Sequence, residues 1–170
     1  MKWERPNLRN ILEARQTIKK YMPQTPIYSY PYLNKLLGTK VFIKHENHTP
    51  TGVFKARGAV YLFSRLDAQQ KEKGVVTAST GNHAQSIAYA GNLFDVPVTI
   101  VMPEKANPTK VKAVKSWGAD IIFYGKIFDE SRVFAEQMAE ERDLRFVHPA
   151  NEPDLIAGVG TYALEIFEDV

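Results

Sequence analysis

The sequence predicts an α/β protein, a parallel sheet flanked by helices, preceded by a stretch organised differently. From Lys73 onward, short β-branched or aromatic runs alternate with longer helical patterns, as expected when parallel strands are joined by crossover helices. Breakers fall at the joints, at Gly91, Pro97, Pro103, Pro108, Gly118, Gly125 and Pro149, where the chain must leave one element and enter the next.

Taken in order, Leu8 to Tyr21 reads as a helix with Leu8, Ile11, Leu12 and Ile18 at helical spacing. Pro31 to Leu37 is a short second helix stopped by Gly38, and Val41 to Lys44 a brief strand. The Pro50-Thr51-Gly52 turn opens a helix from Val53 to Leu66, which puts Lys55 in its first turn. Strands follow at Val75 to Ser79, Val98 to Met102, Asp120 to Tyr124 and Arg145 to His148. Between them lie helices at Asn82 to Phe94, Pro108 to Trp117 and Glu130 to Arg142, the last with Asp129 as its expected N-cap.

A chain of 170 residues with 44% hydrophobic and 24% charged residues can bury one ordinary core. The charge of +3 is a small surplus of mixed signs. Lys105, Lys110, Lys112 and Lys115 lack interleaved aromatics and read as a solvated helix face, so no nucleic-acid partner is expected. The absence of cysteine excludes disulfides and thiolate metal sites and suits a cytoplasmic protein. The N-terminus carries charge from its second residue and no apolar run is long enough to span a bilayer, so neither a secretory signal nor a membrane is expected. His45 and His48 flank Glu46 without the i, i+4 helical spacing of a zinc site, and no metal is expected. His148 reads as structural.

Two segments carry chemistry. Lys55 lies within PTGVFKARGA, where the partial positive charge of a helix start and cover from Phe54 favour a nucleophilic amine. Ser79, Thr80, Gly81, Asn82 and His83 lie where a strand ends and a helix begins, with unpaired backbone N–H groups facing outward. An anion such as a carboxylate fits there, and Gly81 lets backbone approach it closely. A plain helix start capped by Ser79 or Thr80 accounts for the same residues.

Together these segments resemble the fold-type II pyridoxal-phosphate enzymes, in the branch of threonine/serine dehydratase and serine racemase. The resemblance continues through Val101 to Asp120 and Phe146 to Ile166. It implies pyridoxal 5'-phosphate bound through Lys55, with Phe54 and Asn82 beside the cofactor and the substrate carboxylate on Ser79, Thr80, Gly81, Asn82 and His83. Lys55 would then take the Cα proton of a small hydroxy amino acid, releasing a 2-oxo acid and ammonia, with isoleucine biosynthesis among the expected settings. Racemases of the family have a second serine where this chain has Thr80, which keeps an acid/base hydroxyl but leaves dehydratase and racemase both open. A non-catalytic amino-acid-binding or split-subunit domain is a third reading.

The resemblance also implies a division of the chain. Residues 1–72 would begin a larger cofactor domain, 73–149 form a small α/β domain, and 150–170 return to the larger one. Relatives carry a glycine-rich phosphate loop, whereas no two of the 10 glycines here are adjacent. The chain is therefore expected to be an N-terminal half that needs its C-terminal half in cis or trans. Alone it should bind cofactor weakly, fail to catalyse, and expose an apolar face that favours a homo-oligomer or a partner chain.

Overall fold

The computed structural model describes residues 4–170. The elements run α1 (Leu8–Ile18), β1 (Ile27–Ser29), α2 (Pro31–Leu37), β2 (Phe42–Lys44), a 3-10 turn (Glu46–His48), α3 (Lys55–Ser64), α4 (Ala68–Lys73) and β3 (Val75–Ala78). They continue with α5 (Asn82–Phe94), β4 (Val98–Met102), α6 (Pro108–Lys115), β5 (Asp120–Phe123), α7 (Phe128–Arg142), β6 (Arg145–Phe146) and α8 (Pro153–Asp169).

The alternation from residue 73 onward forms a parallel sheet in the order β5-β4-β3-β6. Side chains of a strand alternate between faces, and β3 and β4 divide their residues accordingly. Val75, Val98, Ile100 and Met102 pack with Phe63, Ile87 and Val114 from α3, α5 and α6. Val76, Ala78 and Val101 turn the other way onto Ala135 and Met138 of α7. The sheet is thus covered on both faces, and β3 can be an unbroken buried run.

Topology sets where a ligand can enter. The chain steps from β3 to β4 to β5 in one direction, then α7 carries it back so that β6 pairs with the opposite edge of β3. The loops leaving β3 and β6 therefore diverge and leave a crevice at the carboxyl ends of the strands.

Several boundaries differ from the sequence reading. The last strand is only Arg145–Phe146, although Val147 N–H still donates to the Val76 carbonyl at 2.9 Å. The α7 helix starts at Phe128 with Ile127 as its N-cap, and Asp129 sits inside the first turn. Neither α4 nor β1 is legible in the sequence. In α4, Asp67 caps through a reciprocal box with Gln70, but the helix is too short to show a period. The β1 strand sits between two prolines and exists through antiparallel pairing with β2, across the intervening α2.

The tail is a continuous helix. Gly158 and Gly160 look like breakers, yet α8 runs through both. A Cβ on Gly58 would meet the Leu155 carbonyl at 2.6 Å, and one on Gly158 would meet the Arg57 carbonyl oxygen and Gly58 Cα, each at 2.7 Å. These glycines let the backbones of α3 and α8 approach closely.

Where α3 and α8 meet lies a buried charge network that the sequence did not announce. The Arg57 side chain is 1% exposed, and its guanidinium bonds bidentately to Glu46 (2.8 and 2.9 Å) and to Glu165 (2.6 and 2.8 Å). Lys44 Nζ adds contacts to Glu165 and to the Thr25 carbonyl, both at 2.7 Å. Two cations face two carboxylates, which binds β2, the 3-10 turn, α3 and α8 into one body. Away from it, the β1, α2 and β2 region leaves Tyr28, Tyr32, Leu36, Leu37 and Phe42 exposed, an apolar surface of the kind the sequence leads one to expect.

Candidate active site

Lys55 is the first residue of α3 and is half-buried. Among the described residues it has no hydrogen bond or ion pair. Its Nζ lies 5.6 Å from the Phe54 ring centroid. Phe54 covers it less than the sequence suggests, because that ring is itself 41% exposed and leans on Tyr162 at 6.1 Å. Lys55 opens into a cavity of about 190 Å³ whose other lining is Phe54, His83, Pro149, Ala150, Leu155, Ile156 and Val159. Pro149 and Ala150 come from the loop after β6 and His83 follows the loop after β3, so the cavity occupies the switch-point crevice.

The β3 to α5 loop brings the second motif to the same place. Ser79 is buried, and its Oγ accepts from the backbone N–H of Gly81 (3.3 Å) and of Ala84 (3.1 Å). It therefore caps the start of α5, as the plain reading of the motif holds. The proton of its hydroxyl has no acceptor among the described residues, so donation to a ligand stays open to it. With Gly81 and Ala84 satisfied and Gln85 N–H bonded to the Gly81 carbonyl, the backbone N–H groups of Thr80, Asn82 and His83 have no protein acceptor among the described residues. Successive unpaired amides at the start of a helix of 13 residues are suited to an anion.

Thr80 is exposed and its hydroxyl makes no protein bond among the described residues. A Cβ on Gly81 would meet nothing within 4 Å, so no protein contact requires glycine there and the space over the loop is open. Asn82 is exposed, and its Oδ1 accepts from Lys110 Nζ at 3.1 Å, which leaves the amide Nδ2 as a donor. His83 is 6% exposed, with Nε2 3.2 Å from Thr77 Oγ1. Burial, with lesser effects from the Lys55 charge and from His148, pushes its imidazole down to about 3. The ring is neutral at physiological pH.

Nothing local marks Thr77 or the cavity-lining Leu155, Ile156 and Val159 as site residues. Lys110 reads in the sequence as part of a solvated helix face, and it reaches Asn82 only because α6 packs beside α5. His148 lies where a strand was expected to end. Its Nδ1 accepts from Ala150 and Asn151 N–H at 3.1 and 2.9 Å, shaping the loop that lines the cavity.

A profile of the family described as "Pyridoxal-phosphate dependent enzyme" matches residues 18–170. The chain belongs to that family. Its cofactor is pyridoxal phosphate. The chain is 41% identical over 165 residues to L-threo-3-hydroxyaspartate ammonia-lyase of Saccharomyces cerevisiae, covering 97% of this chain and 51% of that protein. It is 43% identical over 166 residues to the catabolic L-threonine dehydratase of Staphylococcus aureus, covering 96% and 48%. Maize serine racemase superposes with a TM-score of 0.94 at 36% identity over 98% of this chain and 51% of that one. The chain thus spans about half the length of these relatives. A relative named as catabolic gives no support to isoleucine biosynthesis as the setting.

The residues present suit part of such a cofactor. An amine with no partner among the described residues opens into an apolar cavity, and unbonded amides with the Asn82 donor stand on the neighbouring loop. No pair of adjacent glycines is available to cradle the phosphate. Among the described residues, no helix is long and apolar enough to cross a membrane.

Proposed function

We propose that this chain is the lysine-bearing half of a pyridoxal-phosphate-dependent ammonia-lyase for a small β-hydroxy amino acid, threonine or serine. The observation that carries the reading is the shared cavity. Lys55, without a protein partner among the described residues, opens into the same crevice as the loop with three unbonded amides. One group can thus hold or receive a proton while the other fixes a carboxylate.

In this reading Lys55 is the residue that would hold the cofactor through its amine, and the same amine would accept the substrate Cα proton. Bound pyridoxal phosphate supplies the electron sink for charge developing at that carbon. The amides of Thr80, Asn82 and His83, with the Ser79 hydroxyl, bind the carboxylate and fix the orientation of Cα. Asn82 Nδ2 would be a donor toward the bound cofactor, and Phe54 would limit water on one side of the amine. Residues 1–72 and 150–170 serve the larger domain in this scheme, and 73–149 the smaller. The second half is supplied in cis or trans, and the exposed apolar surface is covered by it or by a second copy.

Serine racemase is the second reading, favoured by the similarity to the maize enzyme and by the exposed Thr80 hydroxyl. Borohydride reduction of the cofactor-loaded protein followed by peptide mapping tests the shared core of both readings. The label is expected on Lys55, and its recovery on another lysine with Lys55 unmodified would refute them. Thr80→Ala separates the two, since a hydroxyl acting as proton donor would be needed for D-serine and not for pyruvate.

A further inference from the structure

Thr77 lies within β3 on the face that carries α3 and α5, with its side chain fully buried. Its hydroxyl contacts two groups. One is the Val147 carbonyl oxygen just beyond β6, at 2.6 Å, which can only accept and so takes the single hydroxyl proton. The other is His83 Nε2 at 3.2 Å, which must therefore donate its N–H to the threonine oxygen. This fixes the tautomer. His83 is protonated on Nε2, and the nitrogen left for anything in the cavity is Nδ1, a bare acceptor.

The chain His83, Thr77, Val147 joins the first turn of α5 to both strands bordering the crevice, β3 and the continuation of β6. It holds the backbone amides at the start of α5 in register with the loop from Val147 to Asn151. The ring itself cannot receive a carboxylate, because Nδ1 has no proton to give. What Nδ1 can receive is a donor.

We propose that His83 is a positioning residue: its ring, locked by Thr77 and Val147 across the crevice, fixes the first turn of α5 and with it the unbonded amides of Thr80, Asn82 and His83. This rests on the reading of those amides as the carboxylate site beside the cofactor lysine and deepens it, since it names what holds them in place.

The test is nitrogen NMR of the histidine rings in the full chain without cofactor. Expected for His83 are a protonated Nε2, a bare Nδ1, and no change of state between pH 8 and pH 5. Thr77→Val should release the tautomer, and Thr77→Ser should restore it. A tautomer unchanged in Thr77→Val would overturn the lock. Failure of the cofactor reading shows separately, as a borohydride label away from Lys55 with the ring spectra as expected.

Discussion

Glu165→Gln tests whether the buried charge network holds the lysine-bearing helix in place. In the parent, the Arg57 and Lys44 side chains are 1% and 6% exposed and face Glu46 and Glu165, so charge is balanced. Glutamine keeps the size of Glu165 but leaves two buried cations against one carboxylate. It also sets an amide N–H₂ against a guanidinium that has nothing to accept with. Breaking a buried pair by removing one partner costs about 3–5 kcal/mol, a large share of the roughly 5–15 kcal/mol that holds a domain folded. Urea unfolding at pH 7, followed by tryptophan fluorescence, measures the loss. Glu168→Gln is the control, because Glu168 pairs with Arg15 at the half-exposed end of α8 and such pairs contribute about 0–1 kcal/mol.

The same network makes a second reading by pH. Burial raises the Glu165 carboxyl, but hydrogen bonds and charge from Arg57 and Lys44 outweigh burial and hold it below its ordinary value. A carboxyl depressed in the folded state stabilises above its unfolded value of about 4.5, and that contribution is lost as pH falls through the folded value. The parent should therefore shed this contribution in acid, and Glu165→Gln should lack that part of the loss. Arg57→Met with Glu165→Leu removes one charge of each sign and leaves one cation, Lys44, and one carboxylate, Glu46. The double variant should be more stable than the sum of the single losses. A Glu165→Gln loss no larger than the Glu168→Gln loss would refute the reasoning.

Other outcomes follow from single residues. His83 has a folded value of about 3 against 6.5 ordinarily, so stability should fall on acidification between those values by about 1.4 kcal/mol per pH unit, and His83→Gln should flatten the slope. Gly158→Ala drives a Cβ to 2.7 Å from the Arg57 carbonyl oxygen and should cost about 1–3 kcal/mol by thermal melting. Gly81→Ala meets no atom within 4 Å and should leave melting nearly unchanged. Asn82→Ala loses only an exposed bond to Lys110 within the fold, so melting should hardly move. In the cofactor-loaded protein, amino-acid affinity should drop by about 1–3 kcal/mol; an equal loss of stability with unchanged binding would make Asn82 structural.

The alternation of strands and helices after Lys73 was legible in the sequence because it is written locally. Runs such as Val75 to Ala78 have no polar alternation to maintain when both faces are covered, and α5 begins and ends where its residues indicate. The residues from Ser79 to His83 and Lys55 were legible as chemistry for a similar reason, since each sits at an element's start, where backbone groups are unpaired. Strand order was not legible: nothing local says that β6 returns to the free edge of β3, yet that return makes the crevice. Nor could local sequence disclose that Arg57, two residues beyond Lys55, is buried, because its partners Glu46 and Glu165 lie 11 and 108 residues away. The same holds for Thr77, whose proton goes to a carbonyl 70 residues on and thereby sets the state of His83. Periodicity and end signals act over a few residues and survive in the bare sequence; buried hydrogen bonds and charge pairs are settled only when distant elements exclude water together.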